Sequence, residues 1–380
     1  MKGLKNGKII TKDEVLDNKV LLFDKEIIEI IDQEEIDRYD RVELMDVKGN
    51  YISPGFLDLH IHGIKGYDTM DGNYEAVSSI SNIISKKGVT SFLPTTMTMD
   101  QESIYKSLDV IKDSIKKNIQ GATILGAHLE GPFINEKYKG AQNVDYIQEP
   151  NYKFIEDYLD VIKMITLAPE IKQSYEFMDR IKDENIVLSI GHSNAKYEEA
   201  LEAINKGISH ATHTFNAMSS FHHREPGVVG AVFNSDITCD IIADKFHVHP
   251  DNFDLLLKIK GRDKISLITD SMRAGCMKNG IYELGGQKTT IKNGSVRLDD
   301  GTLAGSILTL NLALKNFKDY SGLDLMEAVK LVSLNPAKVL GINDSKGSIE
   351  IGKDADITLF NDDIDIKATI VEGEIVYNNL

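Results

Sequence analysis

Short apolar runs alternate with amphipathic segments through the middle of the chain. Runs rich in β-branched and aromatic residues predict strands, whereas apolar residues spaced three or four apart predict helices. The predicted strands are residues 56–59, 90–93, 123–129, 161–167, 186–190, 210–212, 238–243 and 265–268. The predicted helices between them include residues 74–87, 101–118, 173–184 and 197–206.

This alternation predicts the fold class. Strands that alternate with helices in this way predict an α/β chain folded as a (β/α)8 TIM-like barrel over residues 54–345. A doubly wound open sheet remains the alternative, because it has the same alternation. Residues 281–303 interrupt the pattern after the last strand, and they predict a β-rich excursion with three turns. The turn signals are Gly285-Gly286, Asn293-Gly294 and Asp300-Gly301.

Both ends of the chain show a different pattern, made of short β-type runs with tight turns. Neither end has enough apolar residues to bury a core alone. We therefore expect residues 1–53 and 346–380 to pair into one small, discontinuous β-sandwich domain. Its predicted strands are residues 8–10, 20–23, 27–31, 42–47, 348–351, 357–360, 368–371 and 374–377.

Composition narrows the class of protein. A formal net charge of −16 over 380 residues argues against nucleic acid and anionic membranes as partners. No apolar run approaches the roughly 20 residues of a membrane-spanning helix, and the N-terminus lacks the apolar core of a signal peptide. The two cysteines, Cys239 and Cys276, form no motif, which suits a reducing cytoplasm. We expect a cytoplasmic protein in which any anionic substrate needs a local cluster of positive charge.

Metal-binding side chains directly follow several predicted strands. His60 and His62 lie two residues apart after strand 56–59, so they project from the same face. In a barrel the C-terminal ends of all strands meet at one mouth, where catalytic groups collect. Each residue alone has a simpler explanation, such as a helix N-cap for Asp270, but the repetition predicts a metal site. The other strand-end residues of this kind are Glu130, His192, His213 and Asp270.

Two further positions suggest substrate contacts. Arg224 offers a planar fork for a phosphate, and His222 or His223 could assist it. His247 could steady a carbonyl oxygen as negative charge develops on it. The alternatives are an ordinary solvated loop around Arg224 and a surface loop histidine at His247.

Several motifs resemble those of the metal-dependent amidohydrolases, and within them the deacetylases of amino-sugar phosphates. The His60-Ile61-His62 signature is shared across the superfamily, whereas the Phe-Asn-Ala-Met and Arg-Glu-Pro-Gly segments are more particular to the deacetylases. The resemblance extends over residues 54–337, which is nearly the whole chain. The matching segments are Glu130-Gly131-Pro132-Phe133, Lys139-Gly140-Ala141, Gly191-His192-Ser193-Asn194-Ala195, Thr214-Phe215-Asn216-Ala217-Met218, Arg224-Glu225-Pro226-Gly227, Leu303-Ala304-Gly305-Ser306 and Asn335-Pro336-Ala337.

The resemblance implies a role for each matching residue. The implied metal ligands are Glu130, His192 and His213, with His60 and His62 for a second ion that only some family members bind. Asp270 would be the catalytic acid/base. The lysine that bridges two metals in many relatives has no evident counterpart here, so Glu130 would bridge them. The implied substrate contacts are Ala141, Gln142, Asn216, Ala217, Arg224, His247, Leu303 and Ala304.

The implied reaction is hydrolysis of N-acetylglucosamine 6-phosphate to glucosamine 6-phosphate and acetate, in amino-sugar catabolism or recycling. The implied cofactor is one or two divalent metal ions per subunit; zinc or iron is expected, and the ligand types also suit manganese or cobalt. The family further implies a homodimer that acts on a phosphorylated amino sugar. The sequence leaves open whether that sugar has the gluco or the galacto configuration.

Two other functions remain as alternatives. A cyclic-amide hydrolase of the dihydroorotase or hydantoinase type would share the superfamily, but the missing lysine and the Arg224 loop argue against it. A non-catalytic barrel could hold a structural metal. Structural zinc sites are usually closed and often rich in cysteine, whereas this set is dispersed and contains none.

Overall fold

Parallel strands from the middle of the chain form two sheets. A computed structural model describes residues 1–39, 41–117 and 119–380. The smaller sheet has three strands in the order Thr123–Ile124, Val89–Pro94 and Phe56–Ile61. Alternation of these strands with helices confirms the predicted α/β class. The larger sheet has six strands in chain order, Ala127–Glu130, Ile162–Leu167, Val187–Ile190, His210–Ala211, Thr238–Ile242 and Ile265–Ile268.

Single parallel bridges connect the two sheets on both sides. Thr95 pairs with His128, and Ile61 pairs with Ser271. All strands within each of these sheets run parallel. The carboxyl ends of strands from both sheets therefore lie at the same edge, which is where ligand sites form in such architectures.

The helices bury one apolar face against these sheets. In Gln101–Ile115, the fully buried residues Ile104, Leu108 and Ile111 recur every three or four positions. This helix was predicted to reach Asn118, which lies outside the described residues. The other α-helices are Tyr74–Ser85, Ser174–Ile181, Tyr197–Asn205, Gly227–Phe233, Asp251–Lys260, Leu310–Ser321, Leu325–Lys330 and Leu334–Val339.

The two ends of the chain contribute strands to one eight-stranded sheet. They join where Ile357–Phe360 pairs antiparallel with Tyr51–Pro54. This sheet has a hydrophobic cluster of its own, which includes Leu21, Ile52 and Leu359. The remaining strands of the sheet are Lys2–Ile10, Val15–Phe23, Ile27–Asp32, Glu43–Asp46, Ile366–Val371 and Glu374–Asn378.

One predicted strand of the C-terminal segment is wrong. Residues 348–351 form no strand, and the side chain of Ile351 is 72% exposed. Gly347 and Gly352, on either side, have φ angles of 90° and 84°. These left-handed conformations bound a segment too short to pair as a strand. Ile351 begins a turn, whereas Ile349 is buried in the hydrophobic cluster of the terminal sheet.

The predicted excursion is a three-stranded antiparallel sheet formed by Gly280–Leu284, Gln287–Lys292 and Ser295–Leu298. Two-residue turns join its strands at Gly285-Gly286 and Asn293-Gly294, as their sequences predict. We call these three strands the insertion sheet. Across the described ranges, no helix is long and apolar enough to cross a membrane.

Candidate metal centre and active site

The six strand-end residues singled out from the sequence lie together in two groups. Within each group the potential ligand atoms all lie within 4.8 Å of one another, and every member is buried. We call them the Glu130 group and the His60 group. The Glu130 group consists of Glu130, His192 and His213, and the His60 group of His60, His62 and Asp270.

The carboxylate of Glu130 lies between the two groups. Its Oε1 is 3.1 Å from His192 Nε2 and 3.0 Å from His213 Nε2. Its Oε2 is 3.3 Å from His62 Nε2 and accepts a 2.7 Å hydrogen bond from Gln142 Nε2. One carboxylate therefore contacts ring nitrogens of both groups.

Asp270 closes the His60 group. Its Oδ1 is 3.2 Å from His62 Nε2 and 3.5 Å from His60 Nε2. The two ring nitrogens are themselves 3.2 Å apart. The Asp270 side chain is 11% exposed, more than any of its partners here, so this carboxylate can reach a molecule in solution.

Three of the histidines are oriented by main-chain carbonyls. Each donates its Nδ1–H, so in a neutral ring the Nε2 lone pair faces the centre of the site. Metal-ligating histidines are commonly oriented and tuned in this way. The pairs are His62 with Thr95 at 3.2 Å, His192 with Tyr138 at 2.9 Å and His213 with Asn216 at 3.2 Å.

This arrangement fits a bound cation. The Nε2 atoms of His192 and His213 are only 3.2 Å apart, and in the tautomers described both present lone pairs. When both rings are neutral, these two lone pairs repel each other and the adjacent Glu130 carboxylate adds negative charge, so the site has to take up either a proton or a cation. A divalent ion bound by imidazole nitrogen and carboxylate oxygen relieves this repulsion. The donor set is therefore suitable for the metal that the sequence led us to expect.

The pKa values of these residues reflect the same concentration of charge. Burial opposes the charged form of the His213 ring, but the hydrogen bond and negative charge of Glu130 raise its pKa to about 9. Burial also opposes ionisation of Glu130, yet the charges of His60 and His192 hold its pKa well below the usual range. The proton that the raised pKa keeps on His213 thus supplies positive charge to the site, as a bound metal cation would.

Three of these residues have left-handed backbone conformations that are uncommon for side chains other than glycine. The φ angles are 48° at His192, 35° at His213 and 45° at Asp270. Each such conformation costs on the order of 1–3 kcal/mol and persists only when surrounding contacts hold it. Their occurrence at three strand ends of one site marks the site as functional.

The buried carboxylate of Asp58 and the half-buried carboxylate of Glu170 hold two of these turns. Asp58 accepts hydrogen bonds from the Thr269 hydroxyl at 2.6 Å and from the Thr269 N–H at 3.2 Å, next to Asp270. Burial raises the pKa of Asp58 to about 6, although these hydrogen bonds oppose the rise. Glu170 accepts hydrogen bonds from Ser193 Oγ at 2.8 Å and the Asn194 N–H at 2.6 Å, directly after His192.

A cavity of about 430 Å3 opens onto both groups. This volume suits a small-molecule ligand. The insertion sheet forms part of its wall, and Gln287 donates from Nε2 to the Ala141 carbonyl at 2.5 Å. The residues predicted from the sequence that line the cavity are His62, Glu130, Ala141, Gln142, His192, His213, Asn216, Ala217, His247, Asp270 and Leu303.

Three predicted site residues do not line this cavity. His60 is fully buried behind His62, and Ala304 is buried under the insertion sheet, where its N–H donates to the Val296 carbonyl. Arg224 is exposed and donates to His223 Nε2 at 2.8 Å. It lines a neighbouring hollow of about 500 Å3, which shares Lys137 and Tyr138 with the cavity.

The sequence analysis missed other residues of the cavity wall. Lys137, Tyr138 and Lys139 lie on the segment that follows Glu130. Lys139 belongs to a segment that resembles the family, but the resemblance gave it no role, and the other two belong to no matching segment. Asp300 faces them from the end of the insertion sheet. No periodic signal marks such loop residues. A polar residue inside an apolar strand, as at Asp58, is the one signal that could have identified a supporting carboxylate.

Comparison with known proteins places the chain in a family. The sequence pattern of the amidohydrolase family matches residues 51–376. The N-acetylglucosamine-6-phosphate deacetylase of Bacillus subtilis (strain 168) is 37% identical over 98% of this chain and 96% of its own length. The N-acetylgalactosamine-6-phosphate deacetylase of Escherichia coli O157:H7 is 31% identical over 88% of this chain and 90% of its own length.

A solved structure gives the same result. The crystal structure of N-acetylglucosamine-6-phosphate deacetylase from Pasteurella multocida superimposes with a TM-score of 0.94 at 34% identity. The match covers 98% of this chain and 99% of that one. Sequence and structure agree over nearly the full length, so the chain belongs to the amidohydrolase family.

Proposed function

We propose that the chain is a metal-dependent deacetylase that hydrolyses N-acetylglucosamine 6-phosphate to glucosamine 6-phosphate and acetate. The observation that carries this proposal is the position of Asp270. This partly accessible carboxylate of the His60 group lines the same cavity as the three residues of the Glu130 group. Full-length similarity to deacetylases of this substrate supports the choice of substrate. An amide is a poor electrophile, so its hydrolysis needs an activated water and an acid for the departing amine.

The Glu130 group would hold the primary ion, and the His60 group together with Glu130 would hold a second. Zinc or iron is the ion we propose, because both accept imidazole nitrogen and carboxylate oxygen. When bound, such an ion lowers the pKa of water from about 16 to about 7 and polarises a carbonyl. Gln142 keeps the Glu130 carboxylate in place through its 2.7 Å hydrogen bond.

Asp270 is the proposed acid/base. Its Oδ1 faces the ring nitrogens of the His60 group, where the attacking water would lie. The carboxylate takes the proton from this water and then delivers it to the amine nitrogen as the carbon–nitrogen bond breaks. Asp270 is ionised in the resting site, because the positive charges of His60 and His62 overcome the effect of burial and lower its pKa.

The cavity wall supplies groups for the rest of the substrate. His247 donates from Nδ1 to Asp244 at 2.8 Å, which fixes the ring and leaves Nε2 for the substrate. We propose that His247 contacts the acetyl oxygen, where negative charge develops in the transition state. The proposed sugar contacts are Ala141, Gln142, Asn216, Ala217 and Leu303. Ala304, which the family resemblance also implied, is buried away from the cavity and is not among them.

Arg224 is the proposed phosphate contact. It lines the hollow that adjoins the cavity at Lys137 and Tyr138, so a phosphate at the far end of the substrate would point towards it. Lys137 and Lys139 add positive charge at this boundary. Together they provide the local cationic cluster that an anionic substrate needs on a chain with a net charge of −16.

The architecture we propose around this site is a closed (β/α)8 barrel over residues 54–345. The bridges of Thr95 with His128 and Ile61 with Ser271 support closure. The eight-stranded sheet supports a separate terminal domain of residues 1–53 and 346–380. We also propose a homodimer, by analogy with the family, in the cytoplasm. No observation favours the cyclic-amide hydrolase or the non-catalytic barrel.

Acetate release tests the function. With zinc or iron supplied, the wild-type chain is expected to release acetate from N-acetylglucosamine 6-phosphate far faster than from the unphosphorylated sugar. Arg224→Ala should lower kcat/KM for the phosphorylated sugar by the equivalent of about 2–4 kcal/mol, the scale of losing a hydrogen-bonded charge. It should hardly change turnover of the unphosphorylated sugar, so the ratio of the two is the quantity to measure.

The matched control is Arg38→Ala, which removes an exposed arginine from the terminal sheet region and should leave both rates unchanged. Equal losses on both sugars in Arg224→Ala would mean that Arg224 supports the loop instead. A wild-type chain without any phosphate preference, or without acetate release in the presence of metal, would contradict the proposed function. The N-acetylgalactosamine 6-phosphate epimer, assayed in parallel, decides between the gluco and galacto configurations.

A further inference from the structure

Asp240 is an acidic residue inside the otherwise apolar strand Thr238–Ile242, and its side chain is fully buried. A buried carboxylate costs several kcal/mol of desolvation unless it is paired and hydrogen-bonded. Asp240 does not line the cavity, and it does not belong to either metal group. Its two carboxylate oxygens bind two different groups, and one of these belongs to the site.

The first partner is the backbone of His213. The Asp240 Oδ1 accepts a short hydrogen bond from the His213 N–H. The carbonyl of Asp240 also accepts a 2.9 Å hydrogen bond from the N–H of Thr214, the next residue. Asp240 thus holds consecutive N–H groups of the turn in which His213 has a φ of 35°.

The second partner is His210, three residues before His213. Its Nε2 donates to Asp240 Oδ2 at 3.0 Å, and its Nδ1 lies 2.7 Å from Thr238 Oγ1. Both side chains of the His210–Asp240 pair have no exposed surface. His210 therefore compensates the buried charge and fixes the orientation of the carboxylate towards the turn.

The contacts of Asp240 affect the position of His213 in the site. Of the two histidines in the Glu130 group, His213 has the φ angle that lies further below the usual left-handed range, 35° against 48° at His192. The Asn216 side chain donates to the His213 carbonyl at 3.3 Å, whereas the His213 N–H is held by Asp240. The His213 ring contacts the Asn216 carbonyl at 3.2 Å, Glu130 Oε1 at 3.0 Å and the ring of His192. Without Asp240 the turn would relax, and His213 Nε2 would leave its position 3.0 Å from Glu130 Oε1.

We propose that Asp240, oriented by His210, is a positioning residue that sets the metal affinity of the Glu130 group by holding the His213 turn. The inference rests on the proposed metal site. In a purely structural role, by contrast, the buried His210–Asp240 pair would stabilise the fold without affecting the metal ligands. Loss of supporting contacts of this kind typically weakens metal binding by about 10–100-fold.

The test is a titration of the metal-free full-length chain with cobalt(II), followed by its visible absorption, which reports both affinity and ligand geometry. Asp240→Ala removes both contacts and should weaken cobalt binding about 10–100-fold, with an altered spectrum. Asp240→Asn keeps an oxygen for the His213 N–H. Its amide N–H can be accepted by His210 Nε2 once the ring proton moves to Nδ1, where Thr238 Oγ1 accepts it, so this variant should restore nearly wild-type binding. Asp240→Ser replaces Asp240→Ala if that variant does not fold, because one hydroxyl can satisfy His210 but cannot also hold the turn.

The matched control is Asp356→Ala. Asp356 is a buried carboxylate bound to Lys346 Nζ at 2.7 Å, at the junction with the terminal sheet. Its loss should lower the melting temperature and leave cobalt affinity and spectrum unchanged.

Asp240→Ala or Asp240→Ser with wild-type cobalt binding and only a lower melting temperature would overturn the inference. Asp240→Asn as weak as the alanine variant would also overturn it, because charge and not the held turn would then matter. A wild-type chain that binds no cobalt contradicts the metal site itself, so the two failures are distinguishable.

Discussion

At the scale of the single residue, the site contains several buried carboxylates, and each needs hydrogen bonds or opposite charge to offset the free energy of its desolvation. Glu130, Asp58 and Asp240 are each at most 2% exposed. Each is compensated by donors that come from distant parts of the chain, such as Thr269 for Asp58, 211 positions away. Several of these donors belong to the turns that carry the predicted metal ligands. The same hydrogen bonds therefore stabilise the buried carboxylates and hold the ligands in position.

Asp270→Asn tests the role of the single acid/base. The amide keeps the shape and one oxygen but cannot take up a proton from water near neutral pH. We expect kcat to fall by about 10²–10⁴-fold, with little change in melting temperature and with most of the metal retained. Kinetics with N-acetylglucosamine 6-phosphate and metal analysis of the purified variant check this expectation. Asp32→Asn, on the surface of the terminal sheet, is the control, and a near wild-type kcat in Asp270→Asn would remove that residue from the proposed mechanism.

Residues at strand ends were the ones that the sequence could identify. His60, His192 and Asp270 follow apolar runs, so their place at the mouth could be predicted before their partners were known. Asp240 and Lys139 could not be identified in this way. Their roles depend on which loop lies against them in space, and neither periodicity nor spacing encodes that contact.

At the scale of the element, the two metal groups come from different strands. The His60 group combines the strand Phe56–Ile61 with the residue that follows Ile265–Ile268, whereas the Glu130 group is carried by three strands of the larger sheet. Glu130 contacts ring nitrogens of both groups. The strand ends thus build two adjoining half-sites whose contributions can be separated by mutation.

The double variant His60→Ala, His62→Ala tests this separation. It removes both histidines of one half-site and leaves the three residues of the Glu130 group in place. We expect the loss of at most one metal equivalent and some residual acetate release, whereas His192→Ala should be metal-poor and inactive. Metal content per chain and acetate release are the measurements. The opposite pattern, with all metal lost from the double variant and retained by His192→Ala, would reverse the assignment of the primary and secondary sites.

The pattern of apolar residues predicted most elements, but some observed boundaries differ from the predicted ones. The predicted strand 123–129 is two strands, Thr123–Ile124 and Ala127–Glu130, because Gly126 has a φ of 149° and interrupts the extended run. Its Cβ position would lie 2.5 Å from the Val161 carbonyl, so a close backbone approach requires glycine there. The helix Gly227–Phe233 was not predicted, since it is short and begins directly after a loop motif.

At the scale of the whole molecule, the two chain ends fold together beside the parallel sheets. The sequence predicted their association, because each end is too poor in apolar residues to bury a core alone. It could not predict the register, which depends on pairing of Ile357–Phe360 with Tyr51–Pro54, about 300 residues apart in the chain. Ion pairs also connect the two ends, and they allow the association of these ends in one sheet to be tested independently of catalysis.

Glu350 forms the most extensive of these connections. Its Oε1 is 2.6 Å from Lys12 Nζ, and its Oε2 is 3.1 Å from Lys353 Nζ and accepts from Ser348 Oγ at 2.6 Å. The hydrogen bond from Lys12, followed by that from Ser348, lowers its pKa from the usual 4.5 to about 2. A folded-state pKa below the unfolded value gives stability that is complete above 4.5 and is lost as pH falls towards 2.

Glu350→Gln is therefore expected to lower the free energy of unfolding at pH 7 by about 1 kcal/mol, a value reduced for solvent screening because the side chain is 32% exposed. The difference from wild type should shrink as the pH falls below 4.5, because the unfolded wild-type chain takes up a proton at Glu350 there, whereas the folded chain does so only near pH 2. Denaturant unfolding of both proteins at pH 7 and near pH 3.5 measures it. Glu374→Gln is the control. Glu374 pairs with Lys2 between the same two ends of the chain but is more exposed, so its loss should have a smaller effect on the free energy of unfolding at either pH. A difference for Glu350→Gln that is the same at both pH values would show that the carboxylate charge does not connect the two ends of the chain.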